Sequence, residues 1–131
     1  SSAVAVPAYA GIPVTHRGVA SSVTIVTGHK ASEKSESSIA WDKIGAVTGT
    51  LVILMGLGNL ENVVDQLIKN NKLPSTPVAV ITHGTTGRQR CVTGTLDDIM
   101  EKVKSENLQP PSVVIVGDVV HLRKLLRWFD K

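Results

Sequence analysis

Short apolar runs separated by glycine, proline and polar turns predict five β-strands along the chain. The runs are rich in valine, isoleucine and threonine, whose branched side chains favour strands. They cover residues 23–27, 50–56, 78–82, 89–94 and 113–117. The run at 50–56 is almost continuously apolar, which is typical of a central strand covered on both faces.

Three further stretches carry apolar residues at helical spacing. The first follows Asn59 as a candidate cap, the second follows a capping-box-like pair of Thr95 and Asp98, and the third follows Asp118. Their apolar positions are 60, 63, 64, 67 and 68; 96, 99, 100 and 103; and 122, 125, 126 and 129. Strands alternating with helices predict an α/β fold. The two strands within 78–94 are predicted to pair antiparallel, so we expect a mixed five-stranded sheet.

The composition limits the class of protein. A chain of 131 residues is about one domain long, and with only 3% aromatic residues its core must be built from valine, isoleucine and leucine. A net charge of +3 suits an anionic ligand, but no aromatic interleaving or dense basic stripe indicates nucleic acid. No run approaches the roughly 18 apolar residues of a membrane span. The single cysteine, Cys91, excludes an internal disulfide, and we expect a soluble, cytoplasmic protein without a membrane partner.

Two segments are interpreted by their polarity and position. Residues 1–7 lack an initiator methionine and read as the middle of an element, so we expect a fragment that lacks any activity requiring an upstream part. Residues 29–38 are polar without a hydrophobic period, which predicts an exposed loop. No function is assigned to that loop.

Glycines that end three predicted strands indicate a pocket. Gly56, Gly84 and Gly117 each follow an apolar run, and ligands of α/β sheets sit beyond the carboxyl ends of strands. Taken singly, each glycine is more simply a tight turn. Met55 could line an adenosine or thioether pocket, although filling the core is the commoner role of such a methionine. No dinucleotide or nucleoside triphosphate loop is present.

Candidate anion contacts come from histidines and arginines in two segments, namely His16, Arg17, His83, Arg88 and Arg90. Arg17, between Pro13 and Gly18, is the best placed for binding. For Arg88 and Arg90, a position on an exposed strand face is slightly favoured over a role in binding.

Other charged and nucleophilic residues give weaker signals. Arg123, Lys124 and Arg127 are interpreted as the solvated face of the last helix. The four histidines show no metal-ligand spacing, so no metal site is predicted. Cys91 lies in a predicted strand, where a buried, inert thiol is expected. No paired acid and base, and therefore no catalytic residue, can be assigned.

Several of these segments together carry a family resemblance. They read AYAGIPVTHRG, VTGH, TLVILMG, HGTTGRQR, VTGTL and VVHLRKLLRWF. The chain resembles the C-terminal portion of the tetrapyrrole methylase family, and the first segment is similar to members that methylate uroporphyrinogen III. The resemblance implies a fold of two α/β domains with the methyl donor between them. Residues 1–20 would then be an interdomain crossing segment and 21–131 the C-terminal domain, with the N-terminal domain absent.

The resemblance also implies a cofactor and site residues. The donor would be S-adenosylmethionine, with S-adenosylhomocysteine as product. Arg17 would hold a substrate carboxylate, and Met55 would face both substrate and donor. The positions implied in donor binding are Ser1, Ser2, Met55, Gly84 and Val113. His83 departs from the asparagine or acidic residue that often precedes this glycine in the family, which leaves its contact open.

The implied activity is C-methylation of uroporphyrinogen III at C2 and C7. The product would be precorrin-2, for sirohaem and cobalamin, and the family resemblance implies a homodimer. Alone, this chain is expected to be inactive. Two alternatives stay open: a methylase of a later corrinoid intermediate, and a noncatalytic dimerisation or ligand-binding module.

Overall fold

The computed structural model describes residues 1–28 and 40–130, and the loop predicted at 29–38 lies outside these ranges. Within them, five α-helices and five β-strands follow one another. Their bounds are α1 Ser2–Tyr9, β1 Val23–Thr27, α2 Trp41–Gly45, β2 Thr50–Leu54, α3 Leu60–Lys69, β3 Pro77–Thr82, β4 Arg90–Thr95, α4 Ile99–Ser105, β5 Ser112–Val116 and α5 Arg123–Leu126.

The five strands form one mixed sheet, as the sequence predicts. Their order is β1-β2-β5-β3-β4. Strands β1 and β2 run parallel, whereas β5 is antiparallel to both of its neighbours and β3 and β4 form an antiparallel pair. Val113 lies opposite Leu54 on one side and Ile81 on the other. The ends of β2 and β3 and the start of β5 therefore meet at one edge of the sheet.

The sheet separates two apolar cores. Helices α2, α3 and α4 cover one face, where Ile53, Val80 and Val114 are buried. Helix α1 and the turn at 118–122 cover the other, where Ile81 and Ile115 are buried. Alternate residues of the three central strands thus face opposite cores, which confirms the expectation drawn from their continuous apolar runs.

The helix starts differ in detail from the predicted caps. Asn59 precedes α3, but its Nδ2 donates to the Gly28 carbonyl oxygen at 3.2 Å instead of capping the helix. Helix α4 begins at Ile99, after the predicted start at Thr95. The Thr95 backbone N–H donates to Asp98 Oδ1 at 2.7 Å, so half of the predicted capping box forms.

Helix α1 is not predicted by the sequence pattern, because it contains Pro7. Its first turn is capped by the Ser1 hydroxyl, which accepts from the Ala3 N–H at 3.2 Å. Proline is tolerated here because the buried face of the helix, including Ala3 and Val6, packs against the sheet. Tertiary packing therefore outweighs local propensity.

The end of α1 is a Schellman motif. The Gly11 N–H donates to the Ala8 oxygen at 3.1 Å, and the Ile12 N–H donates to the Pro7 oxygen at 2.9 Å. Gly11 has a φ of +77°, the left-handed conformation that this motif requires and that glycine adopts without strain. Ile12 is fully buried, so the motif turns the chain back into the core.

The predicted single helix over 118–129 is wrong. The structure has a 3₁₀ turn at Asp118–Leu122, the one-turn α5, and an extended Arg127 with a ψ of 137°. Leu125 is 76% exposed, so the apolar stripe does not face the core as a whole. The backbone at this end packs instead directly against Gly11, which a continuing helix could not do.

The solvated-face interpretation is also wrong for Arg123. This side chain is only 8% exposed. Its Nη1 donates to the Ala10 carbonyl oxygen at 2.6 Å and to Asp130 Oδ1 at 2.9 Å. Because Ala10 directly follows α1 and Asp130 lies near residue 131, the buried guanidinium connects these two distant parts of the chain. Arg127 also has a partner, because its Nη2 donates to the Asp130 carbonyl oxygen at 2.6 Å.

Candidate functional site

The sheet edge where β2 and β3 end carries unusual backbone conformations. Met55, His83 and Thr85 have φ values of +57°, +49° and +68°. Residues other than glycine enter this left-handed region at an energetic cost, most of all a β-branched residue such as threonine. Such strain concentrates at ligand sites, where the surrounding structure holds it in place.

The glycines of this edge correct one prediction. Gly56 and Gly84 follow β2 and β3 and lie at the same edge. Gly117 follows β5, which runs antiparallel to both, so it lies at the opposite edge of the sheet. Of the three strand-ending glycines that were expected to form a pocket, only Gly84 lines the cavity at this edge.

A cavity of about 640 Å³ opens between helix α1 and this edge. Four of the five positions implied in donor binding line it together: Ser1, Ser2, Gly84 and Val113. They come from the start of α1, the turn after β3 and the start of β5, more than eighty residues apart along the chain at the extremes. The fold brings together residues whose spacing in the sequence gives no sign of proximity.

The lining combines an apolar wall with hydroxyl groups. Val6 and Ile81 join Val113 on the wall, and Thr85 and Thr86 add hydroxyl side chains. No aspartate or glutamate is among the described residues that line the cavity. Ser112 also lines it, and the buried Ser112 Oγ has no hydrogen-bond partner within the described ranges. Apolar walls with a few polar groups are the usual composition of a small-molecule site.

Gly84 sits directly against helix α1. A Cβ at this position would lie 2.5 to 3.0 Å from three side-chain atoms of Val6. The absence of a side chain therefore lets α1 pack onto the turn after β3, and it shapes the cavity between them.

Met55 and Arg17 do not line this cavity. Met55 is 60% exposed and directly follows Leu54, the register partner of Val113. Arg17 is exposed in a loop closed by an isolated bridge between His16 and Ala20. The roles implied for Met55 and Arg17 stay predictions.

The other candidate cations divide into two groups. His83 and Arg88 line the cavity, so the exposed-face interpretation of Arg88 misses its position beside the cavity. Arg90 Nη2 donates to Glu106 Oε2 at 2.8 Å, and both side chains are about half exposed, which confirms the interpretation of Arg90 as part of an exposed strand face.

Burial raises the pKa of the Cys91 thiol to about 11, so this cysteine is a protonated, unreactive thiol at neutral pH, as predicted.

Sequence reasoning missed a polar network beside the cavity. Gln89 Oε1 accepts from the Thr85 N–H at 2.8 Å. Gln89 Nε2 donates to Asp130 Oδ2 at 2.8 Å and to the Tyr9 carbonyl oxygen at 3.3 Å. Asp130 in turn accepts from Arg123. A glutamine in a polar turn carries no sequence signal for such contacts, because its partners are 41 and 80 residues away.

Asp130 makes the stability of the protein sensitive to acid. Burial by itself raises the pKa of this carboxyl, but hydrogen bonds from Arg123 and Gln89 and the charges of Arg123 and Arg127 outweigh it and hold the pKa below its usual value. A lowered pKa contributes stability that is present above the unfolded-state value and is lost as the pH falls through the folded-state value.

We therefore expect Asp130→Asn to lower the free energy of unfolding at neutral pH and to flatten its decline in acid, as the pH falls from the usual aspartate pKa through the lower folded-state pKa. Urea unfolding at pH values between about 6 and 2 measures both effects. Glu106→Gln, which removes an exposed paired carboxylate, is the matched control. An equal acid dependence in Asp130→Asn and the parent protein would contradict this assignment.

Two kinds of feature are absent from the part of the chain that the structure describes. No group of three or more histidine, cysteine, aspartate or glutamate side chains is arranged to hold a metal ion in the described ranges. None of the helices described there is both long and apolar enough to cross a membrane.

Comparison with protein families gives one match over most of the chain. Residues 1–100 match the family described as tetrapyrrole (corrin/porphyrin) methylases. Among curated proteins, a uroporphyrinogen-III C-methyltransferase of Methanocaldococcus jannaschii is 54% identical over 123 residues, which are 93% of this chain and 50% of that protein. An S-adenosyl-L-methionine-dependent uroporphyrinogen III methyltransferase of Methanosarcina barkeri is 48% identical over 96% of this chain and 49% of its own length. The chain spans about half the length of these relatives.

Solved structures show the same fold. A uroporphyrin-III C-methyl transferase from Thermus thermophilus, complexed with S-adenosylhomocysteine, superposes with a TM-score of 0.73 at 27% identity. The match covers 89% of this chain and 50% of that one. A cobalt precorrin-4 methyltransferase superposes with a TM-score of 0.79 at 17% identity, over 92% of this chain and 50% of its own. At that identity the likeness concerns the fold alone.

Proposed function

This chain belongs to the tetrapyrrole methylase family, and we propose that it forms part of an S-adenosylmethionine-dependent enzyme that methylates uroporphyrinogen III on carbon. Methylation at C2 and C7 would give precorrin-2, the precursor of sirohaem and cobalamin. We assign residues 1–20 to the segment that crosses between two domains and 21–131 to the C-terminal domain. Relatives with this activity in their names, of which the chain spans half, support the proposal.

The cavity beside α1 is the observation that carries the proposal. The family resemblance implies donor binding for Ser1, Ser2, Gly84 and Val113. All four line a single cavity. Their convergence supports a common role in binding the donor.

The residues of the cavity fit a nucleoside-type donor. Its volume of about 640 Å³ lies within the range of small-molecule sites. Val6, Ile81 and Val113 offer an apolar wall for an aromatic base, and the serine and threonine hydroxyls offer hydrogen bonds to a ribose. S-Adenosylmethionine, when bound, supplies an electrophilic methyl group on a sulfonium. The chain itself contributes binding and orientation, since the described cavity lining includes no carboxylate that could act as a general base.

The substrate would be held by charge. Uroporphyrinogen III carries eight carboxylates, and the exposed guanidinium of Arg17 can form a bidentate pair with one of them. Met55, at the end of β2, is placed next to the strand that carries Val113 and would lie between donor and substrate. Most of the rate enhancement would then come from aligning the two reactants and excluding water.

We also propose a homodimer in the cytoplasm. Leu125, Leu126 and Trp128 are exposed together at the end of the chain, and exposed apolar clusters are often covered by a partner. Light scattering on the protein at several concentrations measures its mass in solution. A mass of one chain at all concentrations would contradict the dimer.

Activity is tested on this chain completed to the length of its relatives with the remaining half of the Methanocaldococcus jannaschii protein. Incubation with uroporphyrinogen III and S-adenosylmethionine should give a product heavier by two methyl groups, and Met55→Ala should slow its formation. Glu106→Gln, remote from the cavity, serves as the control for an unrelated surface change. Methylation of a later corrinoid but not of uroporphyrinogen III would overturn the proposal, and so would a protein that binds but never methylates.

A further inference from the structure

The turn at 83–88 is held by contacts that lie outside the cavity. We propose that Gln89 is a positioning residue, which fixes this turn in its binding conformation through Asp130 and Arg123. The inference rests on the proposed function for its effect on ligand affinity. The structural part, the holding of the turn, is independent of any ligand.

The Gln89 side chain is only 9% exposed, and its hydrogen bonds use the amide almost fully. The carbonyl oxygen accepts from the Thr85 N–H, and the two hydrogens of Nε2 go to the Tyr9 oxygen and to Asp130. A buried amide is costly unless it is paired, so each of these three contacts restricts the position of the others.

The contact to Thr85 is placed where the turn is strained. Thr85 has a φ of +68°, a conformation that β-branched residues rarely adopt. Its N–H would otherwise be free to turn away when the backbone relaxes. Because Gln89 Oε1 accepts this N–H at 2.8 Å, relaxation of the turn would break a partly buried hydrogen bond.

The other side of Gln89 is fixed by the end of the chain. Asp130 is held by the ion pair with Arg123 at 2.9 Å, and both side chains are at least 90% buried. Arg123 also donates to the Ala10 oxygen, directly after α1. Helix α1 forms one wall of the cavity and the turn forms another, so the network fixes two walls relative to each other.

The proposal predicts that residues outside the cavity control the conformation of the turn that lines it. Asp130 and Arg123 are not among the residues that line the cavity. Loss of Asp130 should nevertheless loosen the turn, because Gln89 then loses a charged acceptor. An ordinary stabilising contact would affect global unfolding without a preferential effect on this turn.

Amide hydrogen exchange tests the structural part without a ligand. Gln89→Ala and Asp130→Asn should each raise exchange in the turn at 83–88 about tenfold, the effect of losing one hydrogen bond, with smaller changes in β2 and β5. Glu106→Gln, which removes an exposed ion pair near β4, should leave the turn unchanged. Unchanged turn exchange in Gln89→Ala, or an equal rise everywhere, would overturn the proposal.

A charge swap adds a rescue test. Gln89→Glu places a second carboxylate beside Asp130 and should raise turn exchange further. Adding Asp130→Asn restores a donor opposite the new carboxylate and should return exchange towards the level of Asp130→Asn alone. A double variant looser than both single variants would contradict a direct Gln89–Asp130 contact.

Calorimetric titration with S-adenosylhomocysteine tests the functional part on this chain completed with the remaining half of the Methanocaldococcus jannaschii protein. Affinity should fall about tenfold in Gln89→Ala and Asp130→Asn and stay unchanged in Glu106→Gln. If the completed parent protein fails to bind, the proposed function fails and the exchange result alone decides whether Gln89 holds the turn. If the turn loosens while affinity stays constant, Gln89 is a structural residue and the inference is overturned.

Discussion

Gly11→Ala should destabilise the protein more than Gly18→Ala or Gly84→Ala. The new Cβ would lie 2.6 and 2.7 Å from the backbone nitrogen and Cα of Arg127. Backbone atoms cannot rotate away as a side chain does, so α1 and the end of the chain would have to separate. The left-handed φ of +77° adds about 1 kcal/mol for a residue with a Cβ. Together these effects predict a loss of about 3 to 5 kcal/mol, which is exceptional for one methyl group.

Gly18 offers a matched control for Gly11. It has nearly the same φ, +81°, but a Cβ there would meet no atom within 4 Å. Gly18→Ala should therefore cost only the backbone strain, about 1 kcal/mol. Urea unfolding of both variants separates the contact from the conformation. Equal losses in the two variants would mean that the contact with Arg127 contributes nothing.

Gly84→Ala should weaken S-adenosylhomocysteine binding at least about tenfold. The added Cβ cannot occupy its ideal position against Val6, so either α1 moves away from the turn or the turn moves towards the cavity. Both movements change a cavity that Val6 and Gly84 line together. Overpacking of this kind also costs about 1 to 3 kcal/mol of stability. Calorimetric titration and urea unfolding measure the two effects.

Two variants control this prediction. Gly87→Ala changes the same turn, but a Cβ there meets nothing within 4 Å, and affinity should be preserved. Val6→Ala removes Cγ1 and Cγ2, the two atoms that a Cβ at position 84 would approach most closely, so adding Gly84→Ala to Val6→Ala should cost much less stability than Gly84→Ala costs in the parent protein. Wild-type affinity in Gly84→Ala would contradict the assignment of this cavity to the donor.

The sheet could be predicted from the sequence because its strands are short, β-branched and bounded by glycine or proline. All five predicted strands agree with the structure within a few residues, and helix α3 lies at its predicted position, because its apolar residues recur at helical spacing. The direction of β5 could not be predicted in the same way. The reversed β5 carries Gly117 to the far edge, and nothing in an isolated strand pattern encodes its direction.

The two ends of the chain could not be predicted because long-range contacts decide them. Pro7 argues locally against helix α1, yet the helix is stabilised by burial against the sheet. Arg123 reads as a solvated residue, but a carbonyl oxygen 113 residues earlier and Asp130 hold it inside. Periodicity reports which face of a segment is apolar and not what packs on it.

The candidate site shows the same division. The family resemblance selected Ser1, Ser2, Gly84 and Val113, and the fold explains how such distant residues share one cavity. The role of Gln89 could not be predicted, because it depends on hydrogen bonds that only the folded structure brings together. The left-handed conformation of Thr85 could not be predicted either, since β-branched residues such as threonine rarely adopt it.

The most direct test of the donor site is to map S-adenosylhomocysteine by nuclear magnetic resonance on this chain completed with the remaining half of the Methanocaldococcus jannaschii protein. Titration of the isotope-labelled protein should shift the amide signals of α1, the turn at 83–88 and the start of β5, which surround the cavity. Signals around the smaller groove lined by Thr93, Lys102 and Lys124 should stay in place. Shifts confined to that groove, or no shifts at saturating ligand, would contradict the donor site proposed between α1 and the sheet edge.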